Sequence, residues 1–218
     1  MSTILYEMAH SPFCIPIARV LDAAGVQFER REIPNWDRTE LLHLTNGAYY
    51  AVPVLSHNGN IVWDGDESIA AYLDRTVTAG RLFPAHLTAA QECMIEFIEQ
   101  QLEDRTFKLV DIHYIPAIKD VAHRGMVIRH KERKFGRGCV DAWRRDAAAI
   151  RADADRLLAR FETTLRAQPF VLGAQPVYAD FLLYGILGNL TFNGWNALNA
   201  QQTALAGWLK RMAGFQWA

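Results

Sequence analysis

His10-Ser11-Pro12-Phe13-Cys14 joins a short β-rich run, Thr3-Ile4-Leu5-Tyr6, to the helical pattern Ile15 to Ala24, so a strand meets a helix across a tight turn. Ser followed by Pro reads as a helix opening. The Ser oxygen can accept from backbone N–H groups left free by the first turn, and Pro has no N–H there to leave unpaired. Those free N–H groups and the positive end of the helix dipole favour an anion, which makes a hydroxyl or thiol at this point a better nucleophile at neutral pH. Ser11 and Cys14 both compete for that role. Pro16 disturbs the pattern, because in the fifth helical position it would lose a backbone bond; a helix starting nearer Cys14 would put the thiol at the dipole end instead.

Outward from this turn, Ile17, Val20 and Leu21 share one helix face before Gly25, a plausible stop. Val26 to Ile33 alternates as a partly covered strand does, and Pro34 ends it, giving β-α-β. A polar loop with Trp36 and a short helical piece around Thr39 to Leu44 lead to Val52-Pro53-Val54-Leu55 and Ile61-Val62-Trp63, which flank an Asn58-Gly59 turn and so form a hairpin. The helical pattern Ile69, Tyr72, Leu73 closes the region. Pro53, at a strand start between two valines, is an awkward guest in a sheet. On local sequence alone an edge-strand trans-proline is the default, since cis X-Pro bonds are about 5–6% of cases.

Composition narrows the function classes. The 218 residues are 50% hydrophobic and 22% charged, ordinary for one large or two modest globular domains. A net charge of -1 leaves no global footprint for nucleic acid or an anionic membrane. Cys14, Cys93 and Cys139 are odd in number and lack zinc-ligand spacing, which argues against a disulfide framework and for a reducing, cytoplasmic compartment. No secretion-signal pattern opens the chain, and no stretch approaches the roughly 18 apolar residues of a membrane span.

The Ser-Pro-aromatic-Cys turn, the Val-Pro-Val before a hairpin and the closing Ile-Ala-Ala-Tyr-Leu helix resemble the thioredoxin-like domain of cytosolic glutathione transferases of the Ser/Cys type. The likeness covers nearly the whole chain. Arg81-Leu82-Phe83-Pro84 resembles the family's hinge, and everything beyond it reads as helix. Thr88 with Gln91 forms a capping-box signature, and Met94, Phe97, Ile98 and Leu102 run down one face. A second long helix is expected from Val140 to Leu165. Phe170 to Phe181 resembles the signature before the family's central buried helix, with Val177 where relatives carry a capping Ser or Thr, so Asp180 must find other donors and reads as structural. The expected fold is therefore an α/β thioredoxin-like domain over residues 1–78 and an all-helical domain over 85–218.

The resemblance also implies a chemistry. Glutathione would be the co-substrate, with no metal, and a homodimer is expected by analogy. The bond before Pro53 would be cis, turning the backbone of Val52 toward the cysteinyl part of glutathione. Glu67-Ser68 would hold the γ-glutamyl end, although counting back from Ile69 lands on Asp66 where relatives have the serine. Ser11 would donate a hydrogen bond to the glutathione thiolate, with Tyr6 a weaker alternative. A Cys14-centred thiol-disulfide reductase is the rival mechanism, and a non-catalytic binding module of the same fold is the third reading. Lys119 to Arg145 carries nine Lys or Arg against three Asp or Glu, interrupted by Gly125, Gly136 and Gly138. It lies where the family shapes the pocket for its electrophilic second substrate. A basic, mobile wall there would suit an acidic or phosphorylated co-substrate, a solvated outer face being the alternative; nucleic acid is not implied, because aromatics are not interleaved with these charges.

Overall fold

The computed structural model describes residues 2–217. Strands β1 (Thr3–Glu7), β2 (Phe28–Glu32), β3 (Val54–His57) and β4 (Asn60–Trp63) form one sheet in the order β2-β1-β3-β4, with β1 and β2 parallel and the other pairs antiparallel. The parallel pair is joined by α1 (Cys14–Ala23), whose Ile17, Val20 and Leu21 are buried with Leu5 and Leu55 of the sheet. β2 is the outer edge, and its Phe-Glu-Arg-Arg-Glu sequence keeps that edge charged, which discourages pairing with another chain. The hairpin turns where expected: Asn58 and Gly59 both have positive φ, 51° and 83°, as a two-residue turn matched to strand twist requires. Pro53 lies one residue before β3, so it takes nothing from the ladder. After α2 (Thr39–Leu44) and the hairpin, α3 (Ile69–Leu73) covers the sheet.

Helices fill the rest of the chain. α4 (Thr88–Glu96) runs through a π-helical segment, Phe97–Glu103, into α5 (Asp104–Ala117), so the first long helix extends well past Leu102. The expected capping box is not formed. Thr88 Oγ1 donates to the carbonyl of Ala85, and the buried Gln91 instead donates to the Leu82 carbonyl and accepts from the Ala179 N–H, tying hinge to central helix. α6 (Val121–Phe135) corrects the expectation of a glycine-broken, mobile linker. Asp120 caps it by accepting from the His123 N–H at 2.8 Å, Val127 is buried, and one interior glycine costs a helix only about 1 kcal/mol. Gly136 and Gly138 fall beyond its end.

The expected Val140–Leu165 helix is two helices, α7 (Cys139–Arg145) and α8 (Ala147–Ala167). Cys139, Val140 and Trp143 pack with Ile115 and Val127 in a small cluster, whereas Leu157, Leu158 and Phe161 belong to the main core. A straight helix would have to serve both, and the chain resets at Asp146. α9 (Tyr178–Leu190) is the buried centre, and α10 (Thr203–Gly214) packs on it through Trp208. Asp180 finds its donors: the N–H groups of Val171 (2.8 Å) and Val177 (3.2 Å) and the Trp208 indole (3.0 Å). The C-terminal tail reaches back to α1, where Arg19 donates to the carbonyls of Met212 and Phe215. Among the described residues, no helix is long and apolar enough to cross a membrane.

Candidate functional site

The loop from His10 to Phe13 is shaped by its own backbone and by α9 beneath it. Ser11 N–H donates to the Met8 carbonyl at 2.8 Å, and the Ser11 carbonyl accepts from Cys14 and Ile15. Ser11 is therefore not the helix cap. α1 begins at Cys14, Phe13 holds the cap position, and Pro16 becomes the third helical residue, where its missing N–H is one that no intrahelical carbonyl would have met. Gly185 of α9 makes this packing possible, since a Cβ there would lie 2.4 Å from the Pro12 carbonyl oxygen and 2.5 Å from Pro16 Cδ. Asn189 Nδ2, one turn on, donates to the His10 carbonyl at 2.5 Å.

This placement separates the two candidate nucleophiles. The Cys14 thiol is fully buried and pushed up to about 12 by that burial, which outweighs its hydrogen bond to Ser11 and the backbone at Met8. It stays a thiol despite the helix start. Ser11 Oγ accepts from the Phe13 N–H at 3.3 Å and shares a hydrogen bond with Cys14; because Cys14 stays a thiol, its S–H can donate to Ser11 Oγ, and the Ser11 proton can then go to a further acceptor. The Val52-Pro53 bond is cis, and neither backbone group of Val52 is hydrogen-bonded within the chain among the described residues.

Ser11 and Val52 line one cleft of about 710 Å³, whose far wall is built by the π-helical segment, α5 and α6. His10 packs against Tyr114 with ring centroids 4.3 Å apart and the planes tilted by 36°, and burial, with Lys131 and Arg38 nearby, lowers its pKa to about 4, so it is neutral. Arg38 Nη2 donates to Asn35 Oδ1 at 2.9 Å, while its Nη1 is buried without a partner among the described residues. Lys131 Nζ lies 2.6 Å from Asp111 Oδ2. Burial pushes the Glu103 carboxyl up to about 7 against the pull of Lys131 and Lys134. The Trp36 ring stacks on His123 at 4.4 Å, joining the loop before α2 to α6.

The other expected site residues lie elsewhere. Pro53 is buried behind Val52, and Tyr6 is packed under Arg31 away from the cleft. Ser68 caps α3 by accepting from the Ala71 N–H at 3.1 Å, Glu67 pairs with Arg75 at 2.8 Å, and Asp66 is exposed; none of the three lines the cleft. Ser68 thus sits at the helix start as its cap. Of the basic segment, Lys131, Arg133 and Lys134 line the cleft, and Arg129 and Arg137 do not. Sequence reasoning missed Arg38, Glu103, Asp111 and Tyr114. The last three fall with Phe107 on one face of a helix, spaced 103, 107, 111, 114, a signal that lies beyond Leu102, the last residue to which the helical pattern was followed.

Comparison with known proteins places the chain in a family. The model of the glutathione S-transferase N-terminal domain matches residues 5–79, and that of the glutathione S-transferase C-terminal domain matches residues 144–214. The chain belongs to the glutathione S-transferase family. No curated protein matches its sequence. Among solved structures, glutathione transferase GSTFuA3 from Phanerochaete chrysosporium is 16% identical with a TM-score of 0.79, covering 100% of this chain and 98% of that one. GSTFuA2 from the same organism is 18% identical with a TM-score of 0.77, covering 100% and 99%. Glutaredoxin 2 from Salmonella typhimurium, solved in complex with glutathione, is 20% identical with a TM-score of 0.74, covering 97% and 93%. At these identities the likeness speaks for the fold. Residues 80–143, which supply the far wall of the cleft, lie outside both matched domains.

Proposed function

We propose that this glutathione S-transferase family member binds glutathione against Val52 and Pro53 and conjugates it to an electrophilic small molecule in the cleft, with Ser11 holding the thiolate. One observation carries the reading: the backbone of Val52, unpaired among the described residues and beside a cis-proline, shares a cleft with a serine hydroxyl whose oxygen can accept from the Phe13 N–H and the Cys14 thiol while its proton turns to a ligand. A peptide amide can pair with Val52 as a strand would. The Ser11 O–H can then donate to sulfur, favouring the charged form and lowering the thiol from its usual value near 8.5. Arg38, with a buried and unpaired nitrogen on the same wall, suits a carboxylate of the tripeptide. Ser68 and Glu67, with Asp66 beside them, are the candidates for the γ-glutamyl end through the start of α3. In this reading residues 1–78 bind glutathione, and the helical part, residues 85–218, supplies the pocket for the second substrate, which Lys131, Arg133 and Lys134 bias toward an anion. A homodimer and a cytoplasmic location go with the family resemblance. The buried thiol of Cys14 speaks against the reductase.

The test is a pH titration of the thiolate absorbance of bound glutathione, in the wild-type protein and in Ser11→Ala. A hydrogen bond to a charged group is worth roughly 1.5–3 kcal/mol, so the variant should raise the bound thiol pKa by about one to two units and slow conjugation ten-fold or more. An unchanged pKa in Ser11→Ala would remove Ser11 from the mechanism.

A further inference from the structure

The far wall of the cleft carries an acid that the reading above does not use. Glu103 ends the π-helical segment, and such segments often occur at functional sites. Its neighbours are partnered. Asp104 pairs with Lys108 at 2.9 Å and Arg105 at 3.1 Å, and Asp111 pairs with Lys131, but among the described residues no side chain donates to the Glu103 carboxyl. A half-buried acid without a partner costs stability, and a glutamine in its place would avoid the cost of a buried charge.

We propose that Glu103 donates a proton to the second substrate, and that the cleft accordingly favours electrophiles that must gain a proton when sulfur adds, the α,β-unsaturated carbonyl compounds, over aryl halides, which need none. The assignment rests on the cleft being the site of glutathione transfer. In the step, the thiolate forms a C–S bond at the β-carbon, and the alkene electron pair moves to the α-carbon and carbonyl as an enolate. The Glu103 O–H bond breaks as its proton passes to that enolate, and solvent returns a proton to the carboxylate between turnovers. The proton that glutathione loses on forming its thiolate goes to solvent, so the sum is addition of glutathione across the double bond.

The groups around Glu103 suit both halves of that cycle. On its own long helix stand Asp104 and Asp111, which disfavour a further negative charge, and Glu99 lines the same cleft one turn away. Lys131 and Lys134 of α6, with His130 and Arg133 beside them, accept the carboxylate once the proton has left; Arg38 and neutral His10 complete the cleft on the opposite side. Burial and these opposing charges leave the carboxyl at about 7, so it carries a proton for much of the time near neutral pH, where a general acid is most effective.

The test compares kcat/KM for a simple enone and for chlorodinitrobenzene, each with glutathione, from acid to alkaline pH, in the wild-type protein and in Glu103→Gln. Thermal unfolding confirms that the variant is folded. With the enone, the wild-type rate should fall as pH rises through about 7, a limb the aryl halide lacks. Glu103→Gln should remove that limb and lower the enone to aryl halide ratio by roughly 10²-fold. An unchanged ratio with the limb retained overturns the assignment, and so does an equal loss on both electrophiles, the mark of a merely structural role. Turnover of the aryl halide alone by the wild-type protein also overturns it while leaving the transferase reading intact. Glutathione binding without turnover of either electrophile overturns both.

Discussion

Ser11 and Cys14 stand three residues apart on one turn, and burial gives them different chemistry. With its thiol pushed up to about 12, Cys14 should resist a thiol reagent in the native protein and react only on unfolding, whereas exposed Cys93 should react at once. Mass spectrometry of the alkylated protein before and after denaturation reads this directly. Rapid native modification of Cys14 would revive the reductase mechanism. Asp180 makes a second expectation. Removing its carboxylate in Asp180→Ala strands three buried donors, each costing about 1–3 kcal/mol, so a loss of at least ~3 kcal/mol is expected in urea unfolding. Burial raises its pKa from 3.8 to about 6, so the fold binds this proton more tightly than the unfolded chain does. The contribution is full below 3.8 and is lost as pH rises through about 6; wild-type stability relative to Asp180→Asn should therefore fall over that window and then level off. At this scale, Ser11, Cys14 and Val52 were legible because they stand inside short motifs. Arg38 and Glu103 were not, because what marks them, a guanidinium nitrogen and a carboxyl on the cleft walls with no hydrogen-bonding side-chain partner among the described residues, exists only once distant segments are packed together.

The elements of the sheet were readable from period-two alternation and the Asn58-Gly59 turn, and α1 from the spacing of Ile17, Val20 and Leu21. The helical part was less so. α6 is polar over most of its surface and holds a glycine, so pattern alone pointed to a linker. Its helix depends on the Asp120 cap and on packing against α5 and α7, which no local window contains. Two glycines test this account in opposite directions. Gly125→Ala in α6, with no atom within 4 Å of the added Cβ, should stabilise the protein by roughly 0.5–1 kcal/mol in chemical denaturation. Gly185→Ala in α9 would drive a methyl into Pro12 and Pro16, and overpacking of this kind costs typically about 1–3 kcal/mol. Because the methyl presses on the loop that carries Ser11, this variant should also lose conjugation activity under conditions where it remains folded. Full activity in folded Gly185→Ala would mean that α9 does not set the loop.

Across the whole molecule, the cleft is a joint product of the two halves of the chain. The sheet half presents Ser11 and Val52, the helical half presents Phe107, Tyr114 and the Lys131–Lys134 turn, and the tail locks them through Arg19. The basic segment is neither a free wall nor wholly an outer face. Lys131 is paired with Asp111, while Arg133 and Lys134 have no ion-pair partner among the described residues. Exposed charges are screened over about 10 Å at 0.1 M salt. Added salt should thus lower kcat/KM for an anionic electrophile more steeply than for a neutral one, and an Arg133→Ser, Lys134→Ser variant should bring the two curves together; parallel curves in the wild-type protein would place these charges outside the substrate mouth. All of this presupposes that the cleft takes glutathione. Isothermal titration of the purified protein with glutathione examines that most directly: the account predicts saturable binding of one glutathione per chain, and a titration with no binding heat above dilution at any temperature tried would contradict it.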